Sequence, residues 1–279
     1  MIRWYADNSE ARSSAGIPVP DIYLFGGIAV NEQAGKELCS MIKRIKSTYR
    51  RAADFPIKWC FKDLEKDYRA NRLTKLYSRL LQDSRTWRRE IFSGIASIEL
   101  SILISIIFSY GRCRETLLET KENVTRFGFS NALQRVGLYI KDLASESAEV
   151  ILDWPDKNKR SLFDLEYRSA YQKGISAVYG SGYISGPLKS LDFSDSVLFT
   201  GTDQCSLLQI SDLIVGATRE LVEEALGQRR NSLGASLLKL IRGRFCGAPS
   251  MVIGRGLSIS PRQGDFYSRV KGKVYELYR

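Results

Sequence analysis

After an opening pair of strand-like runs, this chain alternates short apolar segments with longer amphipathic ones. That alternation limits the fold most. Residues 2–7 alternate in the strand manner and stop at Asp7, a polar stretch from Asn8 to Pro20 follows, and Ile22–Val30 is a second apolar run. Two such runs predict an antiparallel hairpin with a long loop. Asn31 is placed to cap a helix over 31–51, with Leu38, Met41, Ile42 and Ile45 on one face. Past Pro56, residues 57–61 read as a strand, Asp63 opens a basic helix to about Leu81, and a further helical piece covers 86–99. The apolar stretch Ile91–Tyr110 is long enough to suggest a membrane span, but Glu99 lies near its middle. A buried carboxylate there is poorly tolerated, so the reading is a helix end followed by a buried strand over 101–109. A long helix is predicted over 119–146, a strand over 149–153 ended by Trp154-Pro155, and a helix over 161–174. A Gly/Ser-rich loop over 180–195, a strand over 196–200 and a helix over 205–226, apolar nearly all round, complete the pattern. Strands alternating with helices after a hairpin imply an α/β class. One domain over 1–260 is expected, with helical insertions at 31–51 and 119–146 and a basic aromatic tail over 261–279.

The chain has 279 residues and no histidine. Ser-His-Asp and Cys-His catalysis, His-containing zinc sites and His general bases are therefore excluded. Chemistry here rests on carboxylates, Lys, Ser, Tyr, Cys or a bound ion. The five cysteines (Cys39, Cys60, Cys113, Cys205 and Cys246) form no Cys-x-x-Cys pair. They read as reduced thiols of a cytoplasmic protein. The N-terminus, Met1-Ile2-Arg3-Trp4, has no signal-peptide character.

The net charge of +11 is unevenly spread. Residues 41–90 carry 15 basic and 6 acidic side chains, and residues 229–279 carry 11 and 2. Concentrated positive charge is the footprint of a polyanion binder, or of a face that meets an acidic partner. Arg229, Arg230, Arg242, Arg244, Arg255, Lys271 and Lys273 are the candidate nucleic-acid contacts, and Tyr267, Tyr275 and Tyr278 are placed either to stack on bases or to pack at helical spacing.

Three aspartates stand where a purely structural role is hard to supply. Asp7 ends the first strand, Asp153 ends the Val-Ile-Leu strand, and Asp212 lies within an apolar helical run. A buried carboxylate needs a cation or strong donors, and several converging carboxylates need a divalent ion. Oxygen ligands favour Mg²⁺ or Mn²⁺ over zinc.

The order resembles the family called domain of unknown function 3800, which has a ribonuclease H-like fold. The likeness rests on Asp7-Asn8-Ser9-Glu10, Phe25-Gly26-Gly27, Val150-Ile151-Leu152-Asp153 and Leu208-Gln209-Ile210-Ser211-Asp212-Leu213. The first motif departs from the family's Asp-Glu-Ser-Gly, with Asn8 for Glu and Glu10 for Gly. The resemblance implies a ribonuclease H-like mixed sheet with an antiparallel first hairpin and helices on both faces. It implies Asp7, Asp153 and Asp212 as ligands of two metal ions, with Asp63 as a fourth catalytic acid at a helix start. Glu10, which replaces a glycine, is placed to stand in for the missing glutamate. Gln209 is placed to orient Asp212 or to bond to backbone, and Lys62 to contact a phosphate or lie along the surface. The implied activity is phosphodiester hydrolysis of DNA or RNA, with a prokaryotic anti-phage role as the expected setting. The other reading is a catalytically inactive subunit on the same fold, binding nucleic acid or a protein partner, or a second copy of itself. Neither reading involves a membrane.

Two further motifs are weak. Gly180–Gly186 lacks the Lys of a phosphate loop and reads as a flexible loop, a gate only if it stands near the site. Ser40-Met41-Ile42-Lys43 matches Ser-x-x-Lys by chance within an amphipathic helix.

Overall fold

The structure, a computed structural model, describes residues 1–11, 21–49, 52, 54–108, 120–144, 147–155 and 159–279. Its strands are β1 (Ile2–Ala11), β2 (Ile22–Asn31), β3 (Ser101–Phe108), β4 (Ala148–Asp153), β5 (Leu198–Thr200) and β6 (Leu257–Ser260). Its longer helices are α1 (Glu32–Ser47), α2 (Glu65–Ala70), α3 (Thr74–Gln82), α4 (Ser84–Ile95), α5 (Lys121–Leu143), α6 (Arg160–Lys173), α7 (Ser206–Ala225), α8 (Leu233–Ile241) and α9 (Gly264–Glu276).

The strands form one mixed sheet in the order β5-β4-β1-β2-β3-β6. β1, β2 and β3 run antiparallel to their neighbours in turn, while β4 joins β1, β5 joins β4 and β6 joins β3 in parallel. With helices on both faces, this is the α/β mixed sheet expected from the sequence, and it is consistent with the ribonuclease H-like arrangement. Alternation along each strand divides the core in two. Tyr5, Ile22, Leu24, Ile28, Ile104 and Ile151 face α1, α4, α7, α8 and α9. Trp4, Ala6, Phe25, Leu103 and Val150 face α5 and α6. α7 is buried on nearly all sides because it lies between the sheet and the helices α8 and α9. That position accounts for its apolar circumference.

The helix ends follow local chemistry. Asn31 caps α1 by accepting from Ala34 N–H at 2.8 Å. Thr120 caps α5 by accepting from Asn123 N–H at 3.2 Å. Gly174, at φ 64°, closes α6 in the left-handed conformation.

Several expectations need correction. β1 does not stop at Asp7 but runs to Ala11, because a ladder needs backbone partners rather than apolar side chains. The central part of the loop, 12–20, lies outside the described residues. Residues 57–61 form no strand. Their donors go to side chains instead, with Ile57 N–H donating to Gln209 and Trp59 N–H to Asp212. The single helix expected from Asp63 to Leu81 is a 3-10 turn over Phe61–Leu64 followed by α2 and α3, broken at Arg72, which has φ 58°. The expected tail holds α9, whose Phe266, Val270 and Val274 are buried in the core. β6 was not anticipated. The stretch 91–110 divides into α4 and β3 as expected, and among the described residues no helix is long and apolar enough to cross a membrane.

Candidate active site

Asp7 and Asp153 are brought together by strand register. Ala6 pairs with Leu152 at the end of the parallel β1–β4 ladder, so the next residues, Asp7 and Asp153, lie side by side on neighbouring strands. Alternation puts both carboxylates on the face of Tyr5 and Ile151, the face covered by α7.

α7 supplies the third carboxylate because it approaches the sheet closely. A Cβ at Gly27 would lie 2.1 Å from the Tyr5 carbonyl oxygen and 2.6 Å from Ser211 Oγ. Only glycine admits this contact. Ser211 Oγ donates to the Tyr5 carbonyl at 2.7 Å, pinning α7 over β1, and Asp212 is the next residue. On its other side Asp212 meets the irregular segment before the 3-10 turn, where its Oδ2 accepts from Trp59 N–H at 2.5 Å. Gly216, one turn on, leaves room for the Trp59 side chain. A Cβ there would lie 2.2 Å from the ring.

Each carboxylate has one oxygen held by a backbone N–H. Asp7 Oδ1 accepts from Asn8 at 2.7 Å, Asp153 Oδ1 from Thr202 at 2.8 Å, and Asp212 Oδ2 from Trp59. The second oxygen of each has no hydrogen-bond partner among the described residues. Asp7 is only 7% exposed. Burial, then the charges of Asp212 and Asp153, hold its pKa well above the usual carboxylate range. Burial likewise pushes Asp212 up to about 6, with Asp153 adding to the rise. The Lys58 ammonium opposes both shifts. Three acids that sense one another in this way share one electrostatic site.

The donor set is entirely hard oxygen and carries excess negative charge, which suits Mg²⁺ or Mn²⁺. Among the described residues, no three carboxylates or thiolates already surround a metal position. The fit therefore lies in donor type and charge.

Gln209 does not orient Asp212. Its Oε1 accepts from Ile57 N–H at 3.4 Å and its Nε2 donates to the Thr202 carbonyl at 2.9 Å. It thus ties together the two loops whose N–H groups hold Asp212 and Asp153. Asp63 and Lys62 are exposed on the 3-10 turn. Asp63 acts on the Cys60 thiol and is not among the leading charges on Asp7 or Asp212. Glu10 points to the opposite face of the sheet and pairs with Lys121 at 2.8 Å, so it does not join the three aspartates.

Most of the C-terminal cations are engaged within the molecule. Arg229 pairs with Glu220 at 2.6 Å and Glu223 at 3.1 Å. Lys273 pairs with Glu224 at 2.9 Å and Glu276 at 2.8 Å. Arg255 pairs with Asp142, and Arg244 donates to the Ala96 carbonyl at 2.7 Å. Lys271 lies 5.6 Å from the Tyr267 ring and 6.0 Å from that of Tyr275. Tyr278 donates its hydroxyl to the Arg242 carbonyl at 2.8 Å. Arg230 remains exposed, and the exposed Arg242 donates from its guanidinium to the Lys239 carbonyl at 3.0 Å.

Two other groups of basic residues lie in the basic stretch 41–90, within which the sequence reading singled out none of them. Arg88 is buried, lies 4.8 Å from the Trp59 ring and 4.7 Å from that of Trp87, and donates to the Trp59 carbonyl at 2.5 Å. It fixes the segment that holds Asp212. Arg85 and Arg89, on the adjacent side of α4, line a groove of about 1150 Å³ with Arg44 of α1 and Thr48, Thr86 and Ser236. None of these three arginines forms an ion pair among the described residues. A smaller cleft of about 190 Å³ opens at Asp7 and Asp153, beside Lys121 and Lys159.

The Gly180–Gly186 segment is anchored at two points. Tyr183 is buried with its hydroxyl 2.9 Å from Ser130, and Gly182 accepts from Gln134 at 3.2 Å. Ser40 and Lys43 are exposed on α1. Cys39, Cys60, Cys205 and Cys246 are free thiols, and Cys113 lies outside the described residues. Compared with protein-family models, with curated proteins and with solved structures, the chain has no match.

Proposed function

We propose that this chain is a metal-dependent nuclease that hydrolyses phosphodiester bonds, with Asp7, Asp153 and Asp212 as its metal-holding carboxylates. The observation that supports this most is the convergence of the three. Each has one oxygen fixed by a backbone N–H and the other without a partner among the described residues, and burial, with mutual repulsion added, raises Asp7 and Asp212. Mg²⁺ or Mn²⁺ bound there would supply a water of lowered pKa and a counter-charge for the leaving oxygen. The protein's own part is orientation. Asn8, Thr202 and Trp59 aim the carboxylates, and Lys58 presents a cation to the same space, where it can meet a phosphate oxygen. The cleft beside Asp7 and Asp153 gives a phosphodiester an approach lined by Lys121 and Lys159. Arg44, Arg85 and Arg89 line the groove we assign to the nucleic-acid backbone. A role against phage rests on the family resemblance.

The test is cleavage of labelled single- and double-stranded DNA and RNA with Mg²⁺, Mn²⁺ or EDTA. Cutting with metal and none with EDTA supports the proposal. Salt-sensitive binding without cutting in any metal favours the other reading, a binding subunit on the same fold. The diversion of Glu10 to Lys121 speaks for that reading.

A further inference from the structure

The opposite face of the sheet carries a second set of buried polar groups, separate from the aspartates. Ser105 of β3 and Ser258 of β6 are direct register partners. Their neighbours Ile104, Ile106, Leu257 and Ile259 point into the α7 side, so both serines face α5. α5 crosses this part of the sheet and touches both strands. Gly128 lies over Ile107, where a Cβ would be 3.1 Å from the Ile107 side chain. Arg135 is seven residues further along the same helical face, about 10 Å on. α5 runs back along β3, so that step leads from Ile107 towards Ser105.

All three side chains are more than nine-tenths buried: Ser105 is 0% exposed, Arg135 6% and Ser258 9%. Among the described residues, Ser105 Oγ, Ser258 Oγ and Arg135 Nε have no hydrogen-bond partner. Among the described residues no carboxylate compensates Arg135. The charges that act on it are those of Arg255 and Arg262, which flank β6 on either side of Ser258. The acid at Arg255 is Asp142, already paired with it. A buried guanidinium facing two further cations is strongly unfavourable unless an anion joins it. Guanidinium and hydroxyl groups both offer protons, and a ligand that only accepts them satisfies all three at once.

We propose that Arg135, Ser105 and Ser258 form a binding site for a small tetrahedral oxyanion of the phosphate class, bordered by Arg255 and Arg262. The site lies on the other face of the sheet from the three aspartates and does not depend on the nuclease reading. Its ligand is either free inorganic phosphate or the terminal phosphate of a nucleotide.

The experiment is calorimetric titration of the full chain with inorganic phosphate and, separately, with a nucleoside monophosphate, both at constant ionic strength. Wild type binds saturably, and Arg135→Met loses binding by on the order of a hundredfold, as expected for removal of a charged hydrogen-bonding partner. Without phosphate, Arg135→Met melts no lower than wild type, because a buried unpaired charge has been removed. Tighter binding of the monophosphate assigns the site to a nucleotide, and equal or weaker binding assigns it to the free ion. Should Arg135→Met fail to fold, Ser105→Ala with Ser258→Ala leaves the charge in place and lowers affinity about tenfold. No saturable binding by wild type, with water alone filling the site, overturns the proposal. So does unchanged affinity in whichever variant folds.

Discussion

Ser211 Oγ donates to the carbonyl of Tyr5 at 2.7 Å, joining the start of the chain to a helix 206 positions later. This contact sets the distance between α7 and β1, and through it the placement of Asp212 near Asp7. Gly27 permits it. Gly27→Ala puts a methyl 2.1 Å from the Tyr5 carbonyl and 2.6 Å from Ser211 Oγ. We expect a loss of roughly 1–3 kcal/mol in urea denaturation, as for other overpacked cores. Nuclease activity should fall by more than the fraction unfolded accounts for. An Ala variant as stable and active as wild type would show that α7 need not approach so closely.

Asp212 gives a pH signature. Its folded pKa, about 6, lies above the ordinary value of 3.8. The native state therefore holds its proton at pH values where the unfolded chain has released it, and stability from this group falls as pH rises from about 4 to about 6. Above that window the full penalty persists, on the order of 1–3 kcal/mol. Asp212→Asn removes it. In metal-free buffer the variant should gain on wild type by that amount between pH 4 and 7, read as the difference in melting temperature. A pH-independent difference would mean that Asp212 titrates normally. Mg²⁺ should close the gap by stabilising wild type alone.

The groove on α1 and α4 has a salt signature. Each phosphate contact contributes about 0.9 to the slope of log affinity against log salt for duplex DNA. Replacing Arg44, Arg85 and Arg89 with Gln should lower that slope by up to about 3. Replacing Arg229 and Lys273 should leave it nearly unchanged, since both are occupied by acids. The reverse pattern would move the binding surface to the C-terminal helices.

Arg88 holds the Lys58–Trp59 segment by hydrogen bonds to its carbonyls and by its contact with the Trp59 ring. Arg88→Met should weaken Mg²⁺ binding roughly tenfold to a hundredfold, the usual effect of removing a group that orients metal ligands. Trp59 fluorescence should report the loosened segment. Unaltered metal affinity would leave Arg88 a structural role only.

The parts of the fold set by local pattern were legible in the sequence. Asn31 and the apolar face from Leu38 to Ile45 mark α1, and the alternation past Glu99 marks β3. Asp7, Asp153 and Asp212 were legible because each is a carboxylate in an apolar setting. What was hidden depends on distant partners. β6 is four residues long and pairs with β3 across some 150 positions, so its own pattern is too short to mark it. Residues 57–61 have strand-like composition, yet Gln209 and Asp212 take two of their backbone donors. The loss of that strand left Asp63 on an exposed turn. Arg88 reads as one more surface cation until Trp59 and Trp87 are seen around it.

The most direct test is to compare Asp153→Asn with wild type in Mg²⁺, measuring cleavage and binding of the same labelled substrate. Asn keeps the size of the side chain and can still accept from Thr202 N–H. We expect cleavage to fall by about a hundredfold or more while binding stays within a few fold. Cleavage at the wild-type rate, or cleavage by wild type that survives EDTA, would contradict a metal site built on Asp7, Asp153 and Asp212.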